Sequence, residues 1–175
     1  MVERLQPADP GGDVVLVEYD DAWPARYRQQ EERIRAALRE RAVEVHHAGS
    51  TSVPGLAAKD VIDVLLVVPD PTDEAAYAPA LQDAGYDFHL REPEWHEHRL
   101  FKDRSPKVNL HVFGPDCEEV GRMLAFRDHL RADNADRGLY ERTKRDLATR
   151  EWDRVQDYAD AKTAVVTDIM TRALR

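Results

Sequence analysis

The residues of this chain best suited to chemistry cluster around a turn. The string Gly49-Ser50-Thr51-Ser52 sets a glycine before three hydroxyl side chains. A glycine lets backbone approach a ligand closely, and the N–H and O–H groups of such a turn point at an anion, which is phosphate-binding chemistry. The string also suits a tight turn with a Ser/Thr helix cap. Asp63 follows as a carboxylate inside the apolar run 61–68, where an unpaired charge is costly. It calls for a cation: a metal ion, Lys59 or an arginine. Asp60 stands three residues earlier, so in a regular strand it points to the opposite face and makes a poor substitute ligand.

The histidines add a second group. Five of the seven, His46, His47, His96, His98 and His111, lie near the turn or in the following strand region. His96 and His98 share a face if they sit on a strand, as a metal-binding pair would. Pro93 and the polar run around it favour a solvated loop over 92–98 instead. His111 alternates with Asn109 and Phe113 on one strand face, as a satisfied core histidine or as a candidate base or metal ligand.

Three basic residues fall on apolar helix faces. Arg127 lies at i+4 from Met123, Lys144 at i+4 from Tyr140, and Lys162 at i+4 from Tyr158, so each cation points inward. Snorkelling at the stripe's edge accounts for any one of them. Three successive helices repeating the pattern point to convergence of Arg127, Lys144 and Lys162, with Arg99 and the 49–52 turn, on one anionic ligand.

The elements that must position these groups can be read from periodicity. Residues 1–12 are expected to be loose and 14–18 to form an edge strand. A helix over 25–40, a strand over 43–48, a helical turn over 56–59 and a central strand over 61–68 come next. A helix over 72–84 is closed by Gly85. Strands over 86–90, 99–102 and 108–113 follow in a mostly antiparallel meander. Helices over 118–131, 136–149 and 152–174 complete an α+β fold, a small mixed β-sheet with flanking helices followed by a C-terminal helical bundle. Residues 14–175 are read as one domain, with 14–115 its sheet part and 116–175 its helical part.

Composition narrows the function classes. The 175 residues carry 25 basic and 34 acidic side chains, a net charge of −9, which argues against a duplex nucleic acid partner. The basic residues comprise 20 arginines and 5 lysines, Lys59, Lys102, Lys107, Lys144 and Lys162, so each lysine is worth locating. A single cysteine, Cys117, permits neither an internal disulfide nor a zinc–thiolate cage. No apolar run approaches a membrane span, and the first residues lack a secretion pattern, so a cytoplasmic protein is expected.

The stretch from His47 to Val68, with Tyr19-Asp20-Asp21-Ala22-Trp23, Asn109-Leu110-His111-Val112, Phe126-Arg127-Asp128 and Tyr140-Glu141-Arg142-Thr143-Lys144, resembles the GrpB family of the nucleotidyltransferase superfamily, over about 14–174. The resemblance implies a Gly-Ser turn, a strand with Asp-x-Asp and a third carboxylate on a neighbouring strand, together holding Mg²⁺ on a nucleoside triphosphate. Gly49, Ser50 and Asp63 match. The second acidic position falls on Leu65 and the third on His111. One aspartate with histidine suits a single softer ion such as Zn²⁺ or Mn²⁺, or none, better than two Mg²⁺.

Two functions are therefore carried forward. One is a nucleotidyltransferase-type protein in which His47, Gly49, Ser50, Thr51, Ser52, Lys59, Arg99, Arg127, Lys144 and Lys162 bind a nucleotide or other phosphorylated small molecule, while Asp63 and His111 serve as catalytic groups or metal ligands. The other is a non-catalytic binding module for the same ligand class with a degenerate metal site.

Overall fold

A computed structural model describes residues 1–105 and 107–174, with the backbone alone at residue 10. Its strands are β1 (Glu3–Arg4), β2 (Pro10–Gly12), β3 (Glu44–Ala48), β4 (Ile62–Val67), β5 (Asp87–Glu92), β6 (His98–Arg104), β7 (Lys107–Phe113) and β8 (Trp152–Arg154). Its helices are α1 (Trp23–Leu38), α2 (Ala78–Asp83), α3 (Glu118–Ala132), α4 (Asn134–Ala148), α5 (Val155–Ala161) and α6 (Thr163–Ala173). Six strands form a mixed sheet in the order β1-β5-β6-β7-β4-β3, and β2 pairs with β8. The expected α+β fold, sheet first and helical bundle after, is the one observed.

The apolar run of β4 becomes central because its two faces are covered by different layers. Ile62, Val64 and Leu66 pack with Val108, Leu110 and Val112 of β7 against Trp23, Ile34 and Leu38 of α1 and Leu81 of α2. On the other face Ala48, Leu65, Val67 and Phe113 meet Val120, Met123 and Leu124 of α3. Each such side chain removed from water stabilises by about 1.5–3 kcal/mol. Because β4 and β7 run parallel with Asp63 opposite Asn109 and Leu65 opposite His111, these four residues face the bundle together. A third cluster joins Val53 and Leu56 to Leu130, Tyr140 and Ile169, fixing the segment after the turn to the helices.

Several local expectations give way. The chain before residue 13 pairs twice, Glu3 with Arg91 and Gly12 with Trp152, where loose chain was expected. The edge strand over 14–18 reduces to a single bridge between Val17 and Ala58. The helix over 72–84 is broken: Pro79 cannot donate to a helix interior, so a 3-10 turn (Glu74–Ala76) precedes an α2 that restarts with the proline in its first turn. The helical turn expected at 56–59 forms instead at Ser50–Ser52. The last helix is divided, since Trp152–Arg154 joins β2 and Lys162 separates α5 from α6. Among the described residues no helix is long and apolar enough to cross a membrane.

Candidate functional site

The turn after β3 comes to lie directly against the carboxylate of β4. Ala48 is paired with Asp63, and Gly49 leaves the strand at φ +69°, a conformation that favours glycine. The side of Gly49 that a Cβ would fill is taken by Asp63, whose Cγ would be only 3.0 Å away. A glycine is thus required here twice, by its backbone angle and by the close approach. Burial pushes the Asp63 carboxyl up, but the hydrogen bond and charge of His111, with Asn109 and Lys59, outweigh it and hold the group below the usual carboxylate range. Asn109 Nδ2 donates to Asp63 Oδ1 at 3.1 Å, and His111 Nε2 lies 3.4 Å from the same oxygen.

Between this corner and the bundle is a cavity of about 280 Å³. Its wall includes Ser50, Asp63 and Asn109 from the sheet side, Arg127 and Tyr140 from α3 and α4, and the three lysines Lys59, Lys144 and Lys162. The inward placement read from helical spacing is therefore correct for all three helices. Lys144 is 2% exposed; its Nζ donates to Ser50 Oγ at 3.0 Å and to the Ala57 carbonyl. Its ammonium stands 4.9 Å from the centre of the Tyr140 ring. Lys162 and Lys59 approach the Tyr158 ring, at 4.5 and 5.5 Å. Such cation–π contacts need no counter-charge and leave the ammonium groups available.

Three ammonium groups so close disfavour their own charge. Burial, then the neighbouring Lys162 charge, pushes Lys144 down to about 7. Burial lowers Lys59 and Lys162 as well, the latter against the pull of Asp63. Tyr158, buried at the same wall, has a hydroxyl with no hydrogen-bond partner among the described residues.

Other candidate residues fall elsewhere. Arg99 does not join the site. It pairs with Val112 across β6 and β7, which places it on the α1 face, and there its guanidinium is bound by Glu74 and Glu97. His47 stacks on Tyr27 at 4.7 Å and meets Thr51 Oγ1 at 3.0 Å, outside the cavity; burial pushes it down to about 4. Ser52 turns its hydroxyl onto the Gly49 carbonyl, so of the three hydroxyls Ser50 alone is bonded to a cavity lysine. Arg127 lines the cavity but already donates to the His47 carbonyl and to Asp128. His96 lies in a turn at φ +54° and forms no pair with His98.

His98 is the residue that sequence reasoning misplaced. Instead of lying in a solvated loop it opens β6, buried and stacked on Phe113, with its ring nitrogens 2.7 Å from Glu92 and 3.1 Å from His111. Tyr158 and Asn109 were also not singled out as site residues; the Tyr–Lys spacing carried the signal for the first, the shared face with His111 for the second.

A larger hollow of about 910 Å³ shares Lys59, Val61 and Asn109 with the cavity and adds Lys102 and Lys107. All five lysines of the chain thus line one or other of these two spaces.

The residues present do not fit the paired metal ions that the resemblance implies. Asp63 is the cavity's one carboxylate among the described residues. Leu65 is fully buried against α3, and Asp60 bonds Trp23 and Arg26. His129, Asp133 and Asp136 bring ligand atoms close together, but not in the cavity wall; they sit at the α3–α4 junction, where Arg172 grips Asp136 by both oxygens and Asp133 caps α4.

Sheet, turn and cavity define an α+β protein with a small cation-lined pocket between its sheet and its helical bundle. The GrpB protein family model matches residues 13–172, and the chain belongs to that family. It is 52% identical to a UPF0157 protein of Halalkalibacterium halodurans, covering 98% of this chain and 87% of that one. The crystal structure of the conserved protein GrpB from Enterococcus faecalis superposes with a TM-score of 0.78 at 28% identity, over 91% and 97% of the two chains. A dephospho-CoA kinase of Mycolicibacterium paratuberculosis is 30% identical over 91% of this chain, which spans 46% of the kinase.

Proposed function

We propose that the cavity binds a small phosphorylated molecule, a nucleotide or another phosphorylated metabolite, with the phosphate between the Ser50 turn and the lysines. One observation carries this reading: Lys59, Lys144 and Lys162 come from three separate parts of the chain to one space that, among the described residues, holds a single carboxylate. Burying ammonium groups together is unfavourable unless an anion joins them. The cavity of about 280 Å³ lies at the small end of ligand pockets and suits a phosphate with a few attached atoms. The adjoining hollow gives the rest of a nucleotide a place. The kinase relative is consistent with this ligand class.

Asp63 favours a second reading in which the pocket transfers a nucleotidyl group from a nucleoside triphosphate: the acceptor hydroxyl attacks the α-phosphorus, the bond to the β-phosphate oxygen breaks and pyrophosphate leaves, while the carboxylate takes the hydroxyl proton. Calorimetric titration of the full chain with inorganic phosphate, AMP and ATP tests binding. Saturable binding that Lys59→Ala and Lys162→Ala each weaken by about tenfold or more is expected. Heat signals indistinguishable from buffer for all three compounds would overturn the proposal. Product analysis with labelled ATP, in wild type and Asp63→Asn, then separates transfer from binding.

A further inference from the structure

The turn at 49–52 has an outer face as well as the inner one that meets the cavity. On that outer side α1, β3 and α3 bound an open cleft of about 360 Å³. Its floor includes His47, Thr51 and Ser52, all buried. Helix α1 contributes Arg28, and α3 contributes Arg127 and Arg131. Thr51 and Arg127 line cleft and cavity alike, so the turn is a wall common to both spaces.

The guanidinium groups of this cleft are held largely by uncharged partners. Arg127 Nη1 donates to the His47 carbonyl at 3.0 Å and Arg131 Nε to the Ser52 carbonyl at 2.9 Å, oxygens that stand before the turn and at its end. A carbonyl orients a guanidinium, which is always charged and carries five donors, without cancelling that charge. Asp128, mostly exposed, lies 2.8 Å from Arg127 Nε and 3.7 Å from Arg131 Nη1, so two cations share one carboxylate. Glu31 lines the cleft too, but receives Arg35, and Glu44 is turned to His46. Arg28 has no hydrogen-bond or ion-pair partner among the described residues.

The cleft does not suit an added strand, because the Val45 and His47 carbonyls along β3 are already taken by the Tyr27 hydroxyl and Arg127. An anion suits it. One guanidinium fork satisfies a carboxylate with two parallel bonds, whereas three guanidiniums from two helices suit the three oxygens of a phosphate group. We infer that the cleft is a second phosphate site, in which Arg28, Arg127 and Arg131 hold the phosphate group of a second phosphorylated small molecule against the outer face of the turn. This site goes beyond the cavity reading and does not depend on it.

Calorimetric titration with inorganic phosphate of the full chain carrying both Lys59→Ala and Lys162→Ala, which weakens the cavity, tests the cleft by itself. Saturable binding is expected to remain, and to exceed the affinity for acetate by about tenfold or more. Adding Arg131→Met or Arg28→Ala is expected to weaken it by about tenfold or more. Circular dichroism checks that each variant is folded. Arg28 makes no bond within the described chain, so its variant decides the matter if loss of the Arg131–Ser52 bond loosens the turn. Absence of phosphate binding in the folded double-lysine variant overturns the inference. So does binding that neither arginine variant weakens, or acetate held as tightly as phosphate. Phosphate affinity and stoichiometry that the two lysine changes leave at wild-type values, and that Arg28→Ala removes, would defeat the cavity reading and support the cleft.

Discussion

The Asp63 carboxylate occupies the space that a side chain at Gly49 would need. Turn and strand are therefore fitted to each other at the point where the cavity begins. Gly49→Ala is expected to destabilise by about 2–4 kcal/mol, from a left-handed φ and the displaced carboxylate together. Denaturant titration measures it. A cost below about 0.5 kcal/mol would show that this corner is plastic.

Lys144 gives the pocket a pH response. Its ammonium is pushed down to about 7 by burial and then by Lys162, with Lys59 and Arg145 adding to the effect and Glu141 opposing it. Between pH 7 and the ordinary lysine range the unfolded chain binds a proton that the folded chain does not, so stability is expected to rise with pH there. An anion favours the charged form, so ligand binding at pH 8 is expected to take up protons and to weaken as pH rises further. Calorimetry in buffers of differing ionisation enthalpy reads the uptake; Lys144→Met should abolish it.

Tyr158→Phe should separate stability from binding. Its hydroxyl is buried without a partner among the described residues, so removing it is expected to stabilise the ligand-free chain by about 1 kcal/mol. The same change should weaken binding of AMP. A stability loss would mean that the hydroxyl already has a partner.

Acid should loosen the fold before the carboxylates protonate. His47 and His98 are both pushed down to about 4, chiefly by burial, so both stay neutral in the folded chain while the unfolded chain takes up protons below pH 6.5. Stability is expected to fall as pH drops from 6.5 to 4. His89, lowered by burial as well, adds to this slope, and His47→Gln should reduce it. A flat profile over this window would contradict the buried neutral state.

Glu74 tests the reassignment of Arg99. It binds both Arg91 and Arg99, and Arg99 is 5% exposed. Glu74→Ala is expected to cost about 1–3 kcal/mol by leaving the buried Arg99 with Glu97 as its remaining carboxylate, while affinity for phosphate stays unchanged. Weakened binding would return Arg99 to the site.

Much of the site was legible because it obeys simple periods. The i+4 spacing from Tyr140 to Lys144 and from Tyr158 to Lys162 placed two cations inward, and the second survived a break in its helix because Lys162 sits at the junction itself. Asp63 and His111 were placed near each other by the family resemblance alone, and the parallel β4–β7 register brings them together. Arg99 was misjudged because its face depends on the register of β6 against β7, which no local pattern reveals. His98 was misjudged for the opposite reason: Pro93 and the polar residues around it do mark a turn, but the strand resumes at His98 and Phe113 covers its ring. The broken helix before Gly85 was readable from Pro79 alone.

The confinement of lysine to the two adjoining hollows makes this chain its own reporter. Arginine supplies the cations of most surface ion pairs, so the primary amines, apart from that of Met1, line the two hollows, Lys107 itself being exposed. An amine-selective acylating reagent would thus act as a footprint of occupancy. Lys144, whose ammonium is pushed down to about 7, would be a sensitive position, and a bound phosphate would shield it while leaving Lys107 open to modification.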